Sequence, residues 1–135
     1  MWLVDGARVS MDTLATQGIS PAIMNDANLN DQLFRYGVRI NPDLLLDVQC
    51  TVLPVDKSNN STPNYQLAPW YFSPLLLASP NHPISKNMSV VKGEFVSSID
   101  FVGSNQQIEK EVLLFTSQNS RSIPVPTRVG LEIMD

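Results

Sequence analysis

Glu111-Val112-Leu113-Leu114-Phe115-Thr116-Ser117 is the stretch that most constrains the fold. Its four consecutive apolar residues leave no polar face, as expected of a strand covered on both sides by other layers. Trp2-Leu3-Val4-Asp5-Gly6 has the same character, a short apolar run closed by a polar turn. Two such strands predict an α/β architecture with parallel central strands and helices on their faces. Glu94–Val102 (EFVSSIDFV) reads as a further strand. Val38–Ile40 alternates as a strand, and Val48–Val55 is extended, with Cys50 on the same face as Val48 and Val52.

Outward from these strands, helices are scarce. Asn30–Tyr36 is the clearest: Asn28 or Asn30 can cap it, Leu29, Leu33, Phe34 and Tyr36 form an apolar stripe, and Gly37 supplies the left-handed end. Single helical turns are predicted near Met11–Thr16, at Leu44–Asp47 after Pro42, and at Ile84–Met88. Tyr65–Leu67 and Phe72–Ala78 are interrupted by Pro69 and Pro74, so they read as short or edge strands. Asp56–Asn64 (DKSNNSTPN) has no apolar residue and is a loop. Asn, Ser and Pro number 11, 14 and 10, which favours turns and capped ends over helix interiors. The chain is therefore expected to be strand- and loop-rich.

A length of 135 residues suits one domain, and 43% apolar residues suffice for a core. The net charge of −4 and a pI near 4.8 argue against a nucleic-acid partner, which calls for clustered Lys and Arg. No window approaches the roughly 18–20 apolar residues of a membrane span. Met1 stands directly before a core strand, and Val129–Asp135 alternates and then stops without a cap. Both features suggest a soluble piece of a larger domain.

Chemistry is thinly represented. With one cysteine and one histidine, neither a disulfide framework nor a Cys/His zinc site can be built. Cys50 and His82 are the only pair available as nucleophile and base. Cys50 lies in a strand among apolar neighbours, and His82 in a proline-bounded turn, so both read as structural. The carboxylates are scattered and the glycines stand singly, without a calcium-loop or phosphate-loop spacing. No cofactor, metal or catalytic residue is predicted. In an α/β sheet ligands bind beyond the carboxyl ends of the strands. Asp5 and Arg8 follow one such strand, Asn119 and Arg121 the other, and if the strands are parallel neighbours these four share a crevice; a plain Asp–Arg network closing the loops is the alternative. Trp70-Tyr71-Phe72 cannot all face inward from one strand, which makes Trp70 and Tyr71 candidate anchors for a partner.

Five stretches together carry a family resemblance: Trp2–Leu14 (WLVDGARVSMDTL), Leu29–Asp47 (LNDQLFRYGVRINPDLLLD), Ser79–Met88 (SPNHPISKNM), Lys92–Val102 (KGEFVSSIDFV) and Leu113–Ile123 (LLFTSQNSRSI). The chain resembles the gliding-motility GldG family of auxiliary ABC-transporter components over most of its length, the Asp56–Asn64 loop excepted. The resemblance implies a flavodoxin-like, class I glutamine amidotransferase-like α/β sandwich. It also implies a periplasmic domain of a protein anchored in the inner membrane, working with the permease and ATP-binding subunits of one transporter. The implied role is non-catalytic, and the family supplies no catalytic residues. The chain lacks the glycine-flanked cysteine elbow of a true amidotransferase. A small-ligand-binding module of the flavodoxin type, and a Cys50-dependent hydrolase or amidotransferase, are the alternatives.

Overall fold

The computed structural model describes residues 2–58, 62–103 and 107–134. In chain order the elements are β1 (Ala7–Val9), α1 (Met11–Gln17), β2 (Ile19–Met24), α2 (Asn30–Arg35), β3 (Val38–Ile40), β4 (Asp43–Asp47), β5 (Cys50–Asp56) and β6 (Tyr65–Ala78). They continue with β7 (Val91–Lys92), β8 (Ile99–Phe101), β9 (Leu114–Phe115), β10 (Ser120–Pro124) and β11 (Thr127–Gly130), then a 3₁₀ turn over Leu131–Met134. The strands pair as β1-β2-β11, β4-β10, β3-β8 and β5-β6-β7, with β9 also on β6.

Every ladder between described strands is antiparallel, which corrects the expectation of parallel central strands. Of the apolar run at 111–117 only Leu114 and Phe115 pair, opposite Ala78 and Leu77, and both are exposed. Trp2–Asp5 joins no ladder, and Leu3 is 86% exposed. An apolar run reports a demand for burial, not the neighbour that meets it. The strand register instead starts after Gly6, whose Cα lies so close to the backbone of Asn41 that an added Cβ would stand 2.5 Å from that carbonyl oxygen. No larger residue fits there without moving backbone.

Three further expectations change. Glu94–Val102 is strand only at Ile99–Phe101, because Phe95 takes a left-handed conformation (φ 51°) and the Asp43 carboxylate captures the Ser98 N–H. Leu44–Asp47 is strand, not a helical turn: alternation carries Leu44 and Leu46 into the core together. Tyr65–Ala78 is one continuous 14-residue strand despite its prolines. Pro69 stands exposed opposite Val52, and Pro74 lies where the register shifts between Cys50 and Thr51, so its missing donor falls at a bulge.

Ile19–Met24 and Ser120–Pro124 are strands that the sequence did not announce, and Leu29 rather than Asn28 or Asn30 stands at the start of α2, without a side-chain cap. Ser10 caps α1 by accepting from the Thr13 N–H, and Gly18 ends that helix at φ 73°. Helix α2 and strand β3 lie at their expected positions, with Gly37 between them at φ 76°. Asp56 closes the β5–β6 loop by accepting from the N–H groups of Ser58 and Asn64, while residues 59–61 of that loop lie outside the described set.

The core gathers Trp70 and Phe72 of β6, Phe95, Leu44 and Leu46 of β4, Ala22 of β2 and Val129 of β11. Trp70 packs on Phe72 at 5.2 Å and edge-on to Phe95 at 6.2 Å. Such ring pairs add about 0.5–1.5 kcal/mol each beyond the area they bury. Helix α2 contributes no buried residue and lies on the surface.

Candidate functional site

A concavity is lined by the end of β2, by α2 and by β3. Its volume is about 400 Å³, within the roughly 300–1,000 Å³ of ordinary binding pockets. Met24, Leu33, Phe34, Val38, Ile40 and Pro42 supply apolar wall, and Asp5, Asp26, Asp31 and Arg39 supply charge. The walls are held by short-range ties. The Asn25 N–H donates to the Gly6 carbonyl (3.0 Å), and the Asn25 side chain donates to that of Asp5 (2.9 Å). Asp26 accepts from the Asn28 N–H (3.0 Å), which holds Asn28 in its left-handed turn (φ 53°) before α2. Gly37 then reverses the chain into β3.

Phe34 is 60% exposed and Met24 57%, so the groove keeps its apolar face open. At the edge, the Arg39 guanidinium donates to Asp100 (2.8 Å) and to the Asn41 side-chain oxygen (3.0 Å). The Asn41 amide donates to the same Asp100 carboxylate (3.0 Å). These bonds, Asn41 first and Arg39 second, hold the Asp100 carboxyl below its ordinary value.

The four residues expected to share a crevice do not. Asp5 belongs to the groove, and Arg8 stands exposed on β1 opposite Ile23. Asn119 and Arg121 line a second hollow of about 180 Å³ with Tyr71, Leu46, Asp47 and Ile133. The separation follows from topology, since β1 sits in the β1-β2-β11 sheet and β10 pairs with β4. Of the two proposed anchors, Trp70 is 1% exposed and is a core residue, which corrects its reading as a surface anchor. Tyr71, pointing the other way on β6, is half-buried and joins Asn119 and Arg121.

Two carboxylates that the sequence reading passed over organise the loops. Asp47 is 1% exposed and accepts from the Ser117 N–H and hydroxyl (2.6 Å each) and from the Gln49 N–H (2.9 Å). Burial alone would raise its pKa; these bonds outweigh burial and lower it. Asp43 accepts from the Ser98 N–H (2.8 Å) and hydroxyl (2.6 Å). The signal was the DLLLD segment itself, with an acid at each end of a strand whose leucines are buried. Each acid ties its strand to a segment more than fifty residues away, so both are engaged by serine donors.

Cys50 is half-buried, and burial, with the nearby Asp47 charge, pushes its thiol pKa up. A raised thiol is a poor nucleophile at neutral pH. His82 accepts from the Ile84 N–H through Nδ1 and faces Glu111 at 3.7 Å through Nε2, so it shapes its turn. Among the described residues no three Cys, His, Asp or Glu side chains gather as a metal site would require, and no helix is long and apolar enough to cross a membrane.

Comparison with curated proteins and with solved structures returns no match. A family model described as an ABC-type uncharacterized transport system matches residues 1–135, the whole chain. The chain belongs to this family of auxiliary components of ABC-type transport systems.

Proposed function

We propose that this chain is a non-catalytic, partner-binding accessory domain of an ABC transporter, and that the groove between β2, α2 and β3 is its contact surface. The observation that carries the reading is the open apolar wall of that groove, with Phe34 and Met24 more than half exposed beside half-buried Leu33, Val38 and Ile40. Contiguous exposed apolar surface of this kind marks interaction sites. The family supports an accessory role in transport. The permease and ATP-binding subunits of the same transporter are the proposed partners, with the permease the direct contact. The resemblance to the GldG family supports a gliding-motility system, with this domain periplasmic and its parent protein anchored in the inner membrane.

The flavodoxin-like sandwich belongs to the same proposal. Trp2–Val4 and Val112–Phe115 are apolar, and the described ladders leave most of them unpaired. Runs of that kind are what the covered strands of such a sandwich require, and the support for it is the family resemblance.

The test is site-specific photocrosslinking in native membranes, with a photoreactive residue at Phe34 and, as control, at exposed Leu67 of β6. Crosslinks to the permease from position 34 and not from position 67 are expected. Crosslinks from neither, or from position 67 alone, overturn the groove as the contact surface.

A further inference from the structure

We propose that the groove beside α2 receives a cationic amphipathic segment of its partner, with apolar side chains against Phe34, Leu33 and Ile40 and Lys or Arg side chains at the rim. The inference rests on the partner-binding reading above and names the chemistry of the partner.

The argument is the charge of the lining. Three acids, Asp5, Asp26 and Asp31, line the concavity with a single basic residue, Arg39, among the described lining residues. That cation is already matched, because Arg39 is bound to Asp100 at 2.8 Å. Asp5, Asp26 and Asp31 have no ion pair among the described residues. An apolar floor ringed by unmatched negative charge attracts a segment that is apolar on one side and basic on the other, and repels an acidic one.

The same charge weighs against the other occupants. A second copy docked through this face would set three carboxylates against three, on a chain that carries a net charge of −4. An anionic lipid surface meets the same repulsion. A neutral apolar ligand would fill the floor and leave the rim without a role.

The 135-residue chain is tested with two fluorescent peptides of one pattern, Leu and Phe anchors at helical spacing with Lys at the remaining positions, or with Glu in place of every Lys. Binding is read by anisotropy. The Lys peptide is expected to bind at least tenfold tighter, since exposed ion pairs contribute roughly two- to fivefold each. That preference should shrink severalfold in about 1 M salt, where the screening length is about 3 Å. The double substitution Asp26→Asn with Asp31→Asn should weaken the Lys peptide about tenfold and leave the Glu peptide unchanged or tighter. Phe34→Ser, at an exposed position where folding is not at stake, should abolish both.

Equal binding of the two peptides, indifference to the Asn substitutions or to Phe34→Ser, or no binding by about 1 mM overturns the proposal. So does a dimer in sedimentation, or adsorption to anionic vesicles, that Phe34→Ser removes. The peptide assay contains no transporter, so a permease crosslink from position 34 without a charge preference rejects this chemistry and keeps the accessory reading.

Discussion

Replacing Asp47 tests whether polar ties across the loops hold this fold together. Its carboxylate is fully buried and accepts three hydrogen bonds, two from Ser117 at 2.6 Å and one from Gln49 at 2.9 Å. Bonds to a charged group contribute about 1.5–3 kcal/mol each, against several kcal/mol for burying the charge. Asp47→Ala removes the acceptor and strands three donors, at about 1–3 kcal/mol for each buried group left unpaired. A net loss of about 3 kcal/mol is expected after partial relaxation, a large share of the roughly 5–15 kcal/mol of a small domain. At about 3–4 °C per kcal/mol for a chain of this size, the melting temperature should fall by about 10 °C. Asp47→Asn keeps one acceptor but turns an NH₂ toward a Ser117 donor, for about 1–2 kcal/mol.

The pH dependence supplies the discriminating sign. The folded Asp47 pKa is below its unfolded value, so its contribution is complete above the unfolded carboxyl range of about 4. It is lost as pH falls from there through the folded pKa. The stability gap between wild type and Asp47→Asn, measured by urea unfolding, should be widest near neutral pH and close as pH drops below about 4. Asp56 and Asp100 are also lowered, but both proteins carry them and they cancel in the difference. A gap that stays constant, or widens in acid, refutes the reasoning.

Two other outcomes follow from close packing and from thiol chemistry. Gly6→Ala would put a Cβ 2.5 Å from the Asn41 carbonyl and 2.6 Å from the Ser97 hydroxyl; a loss of at least about 2 kcal/mol is expected, and unchanged stability in thermal unfolding would refute the close approach. Native Cys50 should react with iodoacetamide several-fold more slowly than a free cysteine and reach the free rate once unfolded; a native rate equal to the free one would revive the nucleophile reading.

How legible these features were depends on the range over which each signal acts. Gly37 after α2 acts within one turn of chain and ends that helix where the sequence puts it; Ser10 and Gly18 bound α1 in the same local way, although only its helical turn was read. Val38–Ile40 follows from alternation alone, whereas the extended Val48–Val55 is strand only from Cys50, and a register shift after Cys50 leaves Val48 and Val52 exposed. What could not be read is what depends on distant partners. Asp43 and Asp47 bind serines 55 and 70 positions away, and nothing local separates such an acid from one that caps a turn. The crevice of Asp5, Arg8, Asn119 and Arg121 failed for the same reason. It required β1 and β10 to be neighbours, and neighbour choice among short strands is set by packing that no window of sequence contains. Tyr71 was separated from Trp70 only by alternation along β6, and the prolines at 69 and 74 had obscured that this strand is continuous.

The groove was half legible, and the missing half explains its chemistry. The sequence identified α2 and its apolar stripe, for which the bland reading is a helix packed on the core. In the fold α2 buries none of its residues, and Phe34 faces outward. Twenty large apolar side chains are exposed among the described residues, whereas nine apolar side chains form the buried core. Isolated exposed apolar residues carry no meaning. Here Met24, Leu33, Phe34, Val38 and Ile40 line one groove across three elements, together with three acids that have no ion pair among the described residues. An internal core would have excluded those charges or paired them, because unpaired carboxylates next to apolar surface oppose burial. The combination of open apolar floor and unmatched acidic rim is therefore better suited to a basic amphipathic partner than to any surface this chain presents to itself.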